Sequence, residues 1–175
     1  ERAAEDDRIK VVVLDLDGLE GGGLAKLQAV GEKIQAVRAA GKKVVAVGSA
    51  YTRDQYYLAS RADEVIMHEL GLVYLEGYEY YRTFFRGALE KLHIDLNVFR
   101  VGEFKSFVEP FIRDDMSNED REASKLWLGG LWAAWQQDVA LARKLKPEVI
   151  QSYANQFADR LEAENGNAAR AAVTA

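Results

Sequence analysis

Ile9-Lys10-Val11-Val12-Val13-Leu14-Asp15-Leu16 is an almost unbroken apolar run, followed by Gly18, by Gly21-Gly22-Gly23, and then by Leu24, Leu27, Val30, Ile34 and Val37 at helical spacing. A valine-rich run of this length, bounded by glycines, predicts a strand over residues 9–16, buried on both faces and central in a parallel sheet. The spacing that follows predicts a helix running to residue 40, with Gly41 as its C-terminal stop. Residues 43–47 predict a second strand, 54–60 a helix and 64–67 a third strand. Strand, glycine loop, helix and strand in repetition place the chain in the α/β class, with helices packed on a mainly parallel sheet.

Working outward, residues 72–74 predict a short hairpin-like piece, 78–92 a helix with aromatic residues on one side, and 96–101 a further strand. Ser117, followed by Glu119, Asp120 and Glu122, has the form of an N-cap with acidic residues in the first turn, and predicts a long helix to about residue 145. Trp127, Leu131, Trp135, Val139 and Ala142 fall on one stripe of that helix, which reads as a face turned to the core or to a partner. Pro147 stops it and opens another helix over 147–161. The tail over 168–175 is alanine-rich and shows no cap. The chain opens on Glu1-Arg2-Ala3-Ala4-Glu5-Asp6-Asp7-Arg8, unlike a signal peptide, and both ends read as cuts through something longer. The expected organisation is one domain over 1–146 and a helical extension over 147–175.

The 175 residues, 49% hydrophobic and 29% charged, suit a soluble domain with a single core. A net charge of −5 leaves no surplus of cations to neutralise phosphates, so nucleic acid is not expected as a partner. With no cysteine the chain forms no disulfide and no thiolate nucleophile. His68 and His93 lie far apart without a companion at ligand spacing, which argues against a histidine-rich zinc site. No run approaches the roughly 18 apolar residues needed to span a bilayer.

Two stretches offer chemistry. Asp15-Leu16-Asp17-Gly18 ends a strand with two carboxylates one residue apart, the pattern of a Mg²⁺-dependent phosphatase of the haloacid dehalogenase kind. Ser49, Lys105, Asp114 and Asp115 can be recruited as its remaining parts. Leu19, however, stands where that motif continues with threonine, and carboxylates at strand ends are common without catalysis. Glycines 21–23 are followed by no lysine at phosphate-loop spacing, and read as a tight turn or a close backbone approach.

The second stretch is Val101-Gly102-Glu103-Phe104-Lys105-Ser106-Phe107-Val108-Glu109-Pro110-Phe111-Ile112-Arg113-Asp114-Asp115-Met116. It sets a lysine among Phe104, Phe107 and Val108. A free lysine titrates near 10.4, so service as a base at neutral pH needs a fall of roughly 3 pH units, about 4 kcal/mol, which apolar burial supplies. Ser106 is next to that lysine and, on an extended segment, points the other way. Glu109, Arg113, Asp114 and Asp115 either position the lysine loop or form surface ion pairs worth little each.

Gly102 to Ser106, with Val108 to Ser117, resembles the lysine region of the long, Gram-negative signal peptide peptidase A (protease IV) family. The likeness extends to Val12-Val13-Leu14-Asp15-Leu16, to Ala46-Val47-Gly48 with Gln55-Tyr56-Tyr57-Leu58-Ala59-Ser60, and to Val98-Phe99-Arg100-Val101-Gly102. The resemblance implies a ClpP/crotonase-like fold of repeated ββα units with long C-terminal helices. It also implies a serine protease that degrades cleaved signal peptides with a Ser/Lys dyad, without metal or organic cofactor. The matching base is Lys105. The serine, in the long form, belongs to a homologous carboxy-terminal domain, toward which the 147–175 extension leads. In short-form relatives a serine precedes a stretch like Gln55-Tyr56-Tyr57, whereas Arg53-Asp54 stand here. The family further implies an anchor in the bacterial inner membrane outside this chain, a periplasmic setting and a homo-oligomer. A purely assembling role, carried by Tyr80, Tyr81, Phe84, Phe85 and the tryptophan stripe, is the alternative from a different class.

Overall fold

The computed structural model describes residues 2–97 and 106–174. They form two units. One comprises Glu1–Glu76 together with Ala133–Ala175; the other is Gly77–Trp132.

In the larger unit, a short α1 (Arg2–Glu5) precedes β1 (Val11–Asp15), α2 (Leu24–Ala39), β2 (Lys43–Gly48), α3 (Arg53–Ala59) and β3 (Glu64–Met67). The three strands form a parallel sheet in the order β1-β2-β3. Gly41, at φ +77°, lies just past α2, where the left-handed conformation suits glycine, and its amide bonds back to the carbonyl of Arg38. Thr52 and Gln55 cap α3 reciprocally. The α/β reading and the strand–helix alternation stand.

The place of the first strand is different from expectation. Among the described residues β1 pairs only with β2, and its Val11 and Val13 are half exposed. The most buried strand side chains are Val44 and Ala46, so β2 holds the centre. A continuous apolar run reads alike whether one face or both are covered, which is why the valines pointed to the middle. Residues 72–74 form no hairpin; Val73 makes a single parallel bridge to Tyr51.

Helix α6 (Asn118–Arg143) supplies its C-terminal turns to this unit, where Trp135 and Val139 of the stripe are fully buried, whereas Trp127, nearer the start of the helix, is 47% exposed. Trp135 meets the Tyr57 ring at 6.3 Å between centroids. Pro147 opens α7 (Pro147–Asn155), but the helix breaks at Gln156 and restarts as α8 (Phe157–Ala163). Tertiary packing causes the break: the Phe157 ring lies edge-on to both Tyr74 and Tyr153 at 6.0 Å. The tail forms α9 (Ala168–Val173), and it is capped after all, because the Asn167 side chain accepts from the Arg170 amide at 2.9 Å.

In the smaller unit α4 covers only Arg86–Lys91, so the helix expected over 78–92 is confined to its second half. Tyr78, Tyr80 and Tyr81 lose side-chain freedom in a helix, and Phe85 is held elsewhere: its amide donates to the Pro110 carbonyl and its ring stacks on Phe111. A 3-10 turn (Ser106–Val108) runs into α5 (Glu109–Ile112), which precedes the start of α6. Ser106 is therefore in a turn and not on an extended segment. The strand expected over 96–101 falls mostly outside the described residues; Leu96 and Asn97 are not in a strand. Among the described residues no helix is long and apolar enough to cross a membrane.

Candidate functional site

Lys105 lies outside the described residues; the segment that follows it is described, and it is firmly tied. Ser106 presents its carbonyl to the Arg82 guanidinium, which donates through Nη2 at 2.9 Å. The Nη1 of Arg82 donates to Asp120 Oδ2 at 2.8 Å, in the first turn of α6, and both side chains are 12% exposed. Glu109 is 2% exposed. Its carboxylate accepts from the Ser117 amide at 3.0 Å and from the Ser117 hydroxyl. The same hydroxyl oxygen accepts from the Asp120 amide at 3.1 Å, so Ser117 is the N-cap that the sequence predicted.

Of the charged residues that follow the lysine, Glu109 is thus an interior strut. Arg113, Asp114 and Asp115 are exposed: Arg113 pairs with Asp115 at 3.2 Å, and Asp114 lies 3.8 Å from Arg86. These three are surface ion pairs of small energetic weight. The sequence marked Asp120 only as a first-turn acidic residue and did not mark Arg82; the two lie 38 residues apart and show no spacing signal.

In the larger unit the carboxylates singled out at the strand end have structural roles. Asp17 accepts from the amide of Ser49 at 2.6 Å and from its hydroxyl at 2.8 Å, joining the loops after β1 and β2. Those two bonds, the backbone one foremost, hold its carboxyl below the ordinary aspartate value. Asp15 accepts from the Asp17 amide at 3.2 Å. Asp114 and Asp115 belong to the other unit, and among the described residues no three His, Asp or Glu side chains converge as a metal site.

At the start of α3, the place of Arg53-Asp54, the side chains face inward to the backbone. Asp54 Oδ2 accepts from the Gly22 amide at 3.0 Å, and Oδ1 accepts from Arg53 Nε at 2.9 Å. Gln55 donates to the carbonyls of Leu16 and Leu19 at 3.0 and 3.2 Å. Gly21, at φ +145°, keeps the loop close: a Cβ there would lie 3.2 Å from Asp54 Oδ2. The glycine loop is thus pinned to the helix start by Asp54 and Gln55. Arg53 and Asp54 bring no hydroxyl or thiol to this point.

Parallel strands alternating with helices, and glycine turns at the strand ends, describe an α/β scaffold, a class that commonly carries its functional residues on loops. The sequence matches the model described as "Peptidase family S49" over residues 36–171, and the chain belongs to that family, whose members have the ClpP/crotonase-like fold. It is 39% identical over 167 residues to "Protease 4" of Haemophilus influenzae, covering 95% of this chain and 27% of the relative. It is 39% identical over 173 residues to "Protease 4" of Salmonella typhi, covering 98% and 28%. It is 28% identical over 161 residues to "Serine protease SPPA, chloroplastic" of Arabidopsis thaliana, covering 92% and 24%. The chain therefore spans about a quarter of the length of the curated relatives it matches.

Proposed function

We propose that this chain is the amino-terminal, lysine-bearing part of a membrane-anchored serine protease that degrades cleaved signal peptides with a Ser/Lys dyad. The observation that carries the reading is its 39% identity, over nearly its whole length, to two bacterial proteins named Protease 4 that are about three and a half times as long. Lys105 is the general base in this reading, and a homologous carboxy-terminal domain supplies the serine. The serine hydroxyl attacks the peptide carbonyl while neutral Lys105 takes its proton; the resulting ammonium returns a proton to the leaving amine, and water releases the acyl group. The absence of a nucleophile at Arg53-Asp54, with Asp54 committed to the Gly22 amide, supports that division of labour. Peptides are the substrates, the setting is the periplasmic side of the bacterial inner membrane, the 147–175 helices lead toward the serine domain, and the protein assembles as a homo-oligomer.

The test is hydrolysis of a fluorogenic hydrophobic peptide by the full-length protein, by its Lys105→Ala variant and by this chain alone. Only the unmutated full-length protein is expected to cleave, with Lys105→Ala reduced by at least about 10³-fold, as for loss of a dyad member. Wild-type turnover by Lys105→Ala removes the reading.

A further inference from the structure

The residues that follow Lys105 belong to a closed circuit of hydrogen bonds. Arg82 donates to the Ser106 carbonyl and to Asp120; the Asp120 amide donates to Ser117 Oγ; Ser117 donates through its hydroxyl and its amide to Glu109. Glu109 is three residues beyond Ser106, so the circuit begins and ends on the same short segment. It fixes that segment at both ends of the Ser106–Val108 turn. Phe85, three residues after Arg82, adds a bond from its amide to the Pro110 carbonyl and a ring stacked on Phe111 at 6.0 Å. Arg82 is the one member whose two donors reach both the lysine's neighbour and the start of α6. A planar guanidinium holds two acceptors in a fixed relation, which an ammonium does not.

We propose that Arg82 is a positioning residue for the reaction: braced by Asp120, it fixes the peptide carbonyl of Ser106, the residue that follows Lys105 in the chain. The inference rests on Lys105 being the base. It separates Arg82 from Arg113, an exposed arginine eight residues after Lys105 whose ion pair serves no such purpose. A base displaced by about 1 Å loses up to about 10²-fold in rate, because proton transfer depends steeply on geometry.

The experiment uses the full-length protein and the same fluorogenic peptide, with Lys105→Ala, Arg82→Ala, Arg82→Lys and Arg113→Ala, each also followed by thermal unfolding. Arg82→Ala is expected to lower kcat about 10- to 100-fold with KM within about twofold. Its pH–rate profile is expected to shift its acid limb, because that limb reports the ionisation of the base and a base's ionisation depends on its surroundings. Arg82→Lys, which keeps the charge beside Asp120 but loses the fork, falls between, and Arg113→Ala behaves as wild type. A merely structural role lowers the amount of active enzyme without moving the profile. An unshifted profile in folded Arg82→Ala therefore overturns the proposal; where that variant does not fold, an unshifted profile and wild-type kcat in Arg82→Lys overturn it. Activity retained in Lys105→Ala would instead refute the base assignment on which the proposal stands.

Discussion

Gly71 shows how much a single position can decide. An added Cβ there would collide with the Ser49 carbonyl oxygen, with Met67 and with the His68 carbonyl, at the point where the chain leaves β3 and passes the β2 loop. Backbone atoms cannot swing aside as a side-chain end does, so Gly71→Ala is expected to cost about 1–3 kcal/mol, measured as a lowered midpoint in urea with an unchanged slope. Nothing in the sequence marks Gly71 apart from the glycines of the 21–23 loop, because its constraint is a neighbour from another part of the chain. The same limit applies to the candidate site. Lys105 drew notice from its aromatic neighbours and family likeness, and Ser117 from its capping pattern. The pairing of Arg82 with Asp120 was silent, since an ion pair between distant residues leaves no local period.

Elements were legible where one periodicity ran without interference. The bounds of α2, β2, α3 and β3 agree with expectation to within a residue or so, because helical spacing, caps and glycine stops coincide there. Expectation failed where tertiary contacts overrode propensity: α4 begins late because Phe85 is bonded to Pro110, and α7 ends early because Phe157 packs between two tyrosines. Tyrosines also give the elements a pH limit. Tyr51 donates to the Ile66 carbonyl and Tyr153 to the Val73 carbonyl, each at 2.7 Å. Burial pushes both phenols up to about 12 from an ordinary 10.0, with the Asp17 charge adding to the first and Tyr56 to the second. A phenol whose folded value is raised stabilises the fold fully below the unfolded value and loses that contribution as pH rises through the folded one. Stability measured by urea unfolding is therefore expected to fall between about pH 10 and 12, before these two phenols ionise in the folded protein, and to fall less steeply in Tyr153→Phe.

At the scale of the molecule, the larger unit is built from the two ends of the chain, Glu1–Glu76 and Ala133–Ala175, with Gly77–Trp132 between them in sequence. The strand–helix rhythm of the first 67 residues was plain, but apart from the stripe holding Trp135 and Val139 nothing in the sequence marks the return of the last forty residues to it. The junctions lie in ordinary sequence, without proline-rich or serine-rich linkers. The returning segment brings Trp135, Val139, Ile150, Tyr153 and Ala171, all buried, and Tyr153 bonds back to Val73. A chain ending at residue 146 is therefore expected to lose cooperative thermal unfolding and near-ultraviolet dichroism, despite keeping all three strands; a sharp transition in that truncation would contradict the assignment of α7 and α9 to this core. The discontinuous order also sets a timetable during synthesis. At about 5–20 residues per second, the β1-β2-β3 sheet waits roughly 5–20 s after its last strand leaves the ribosome before the helices that complete its core exist. Through that interval the Tyr57 ring and the Val73 carbonyl, later met by Trp135 and Tyr153, are open to whatever first meets a nascent chain, so a chaperone's reach and the pace of translation over residues 77–132 bear on the yield of folded protein.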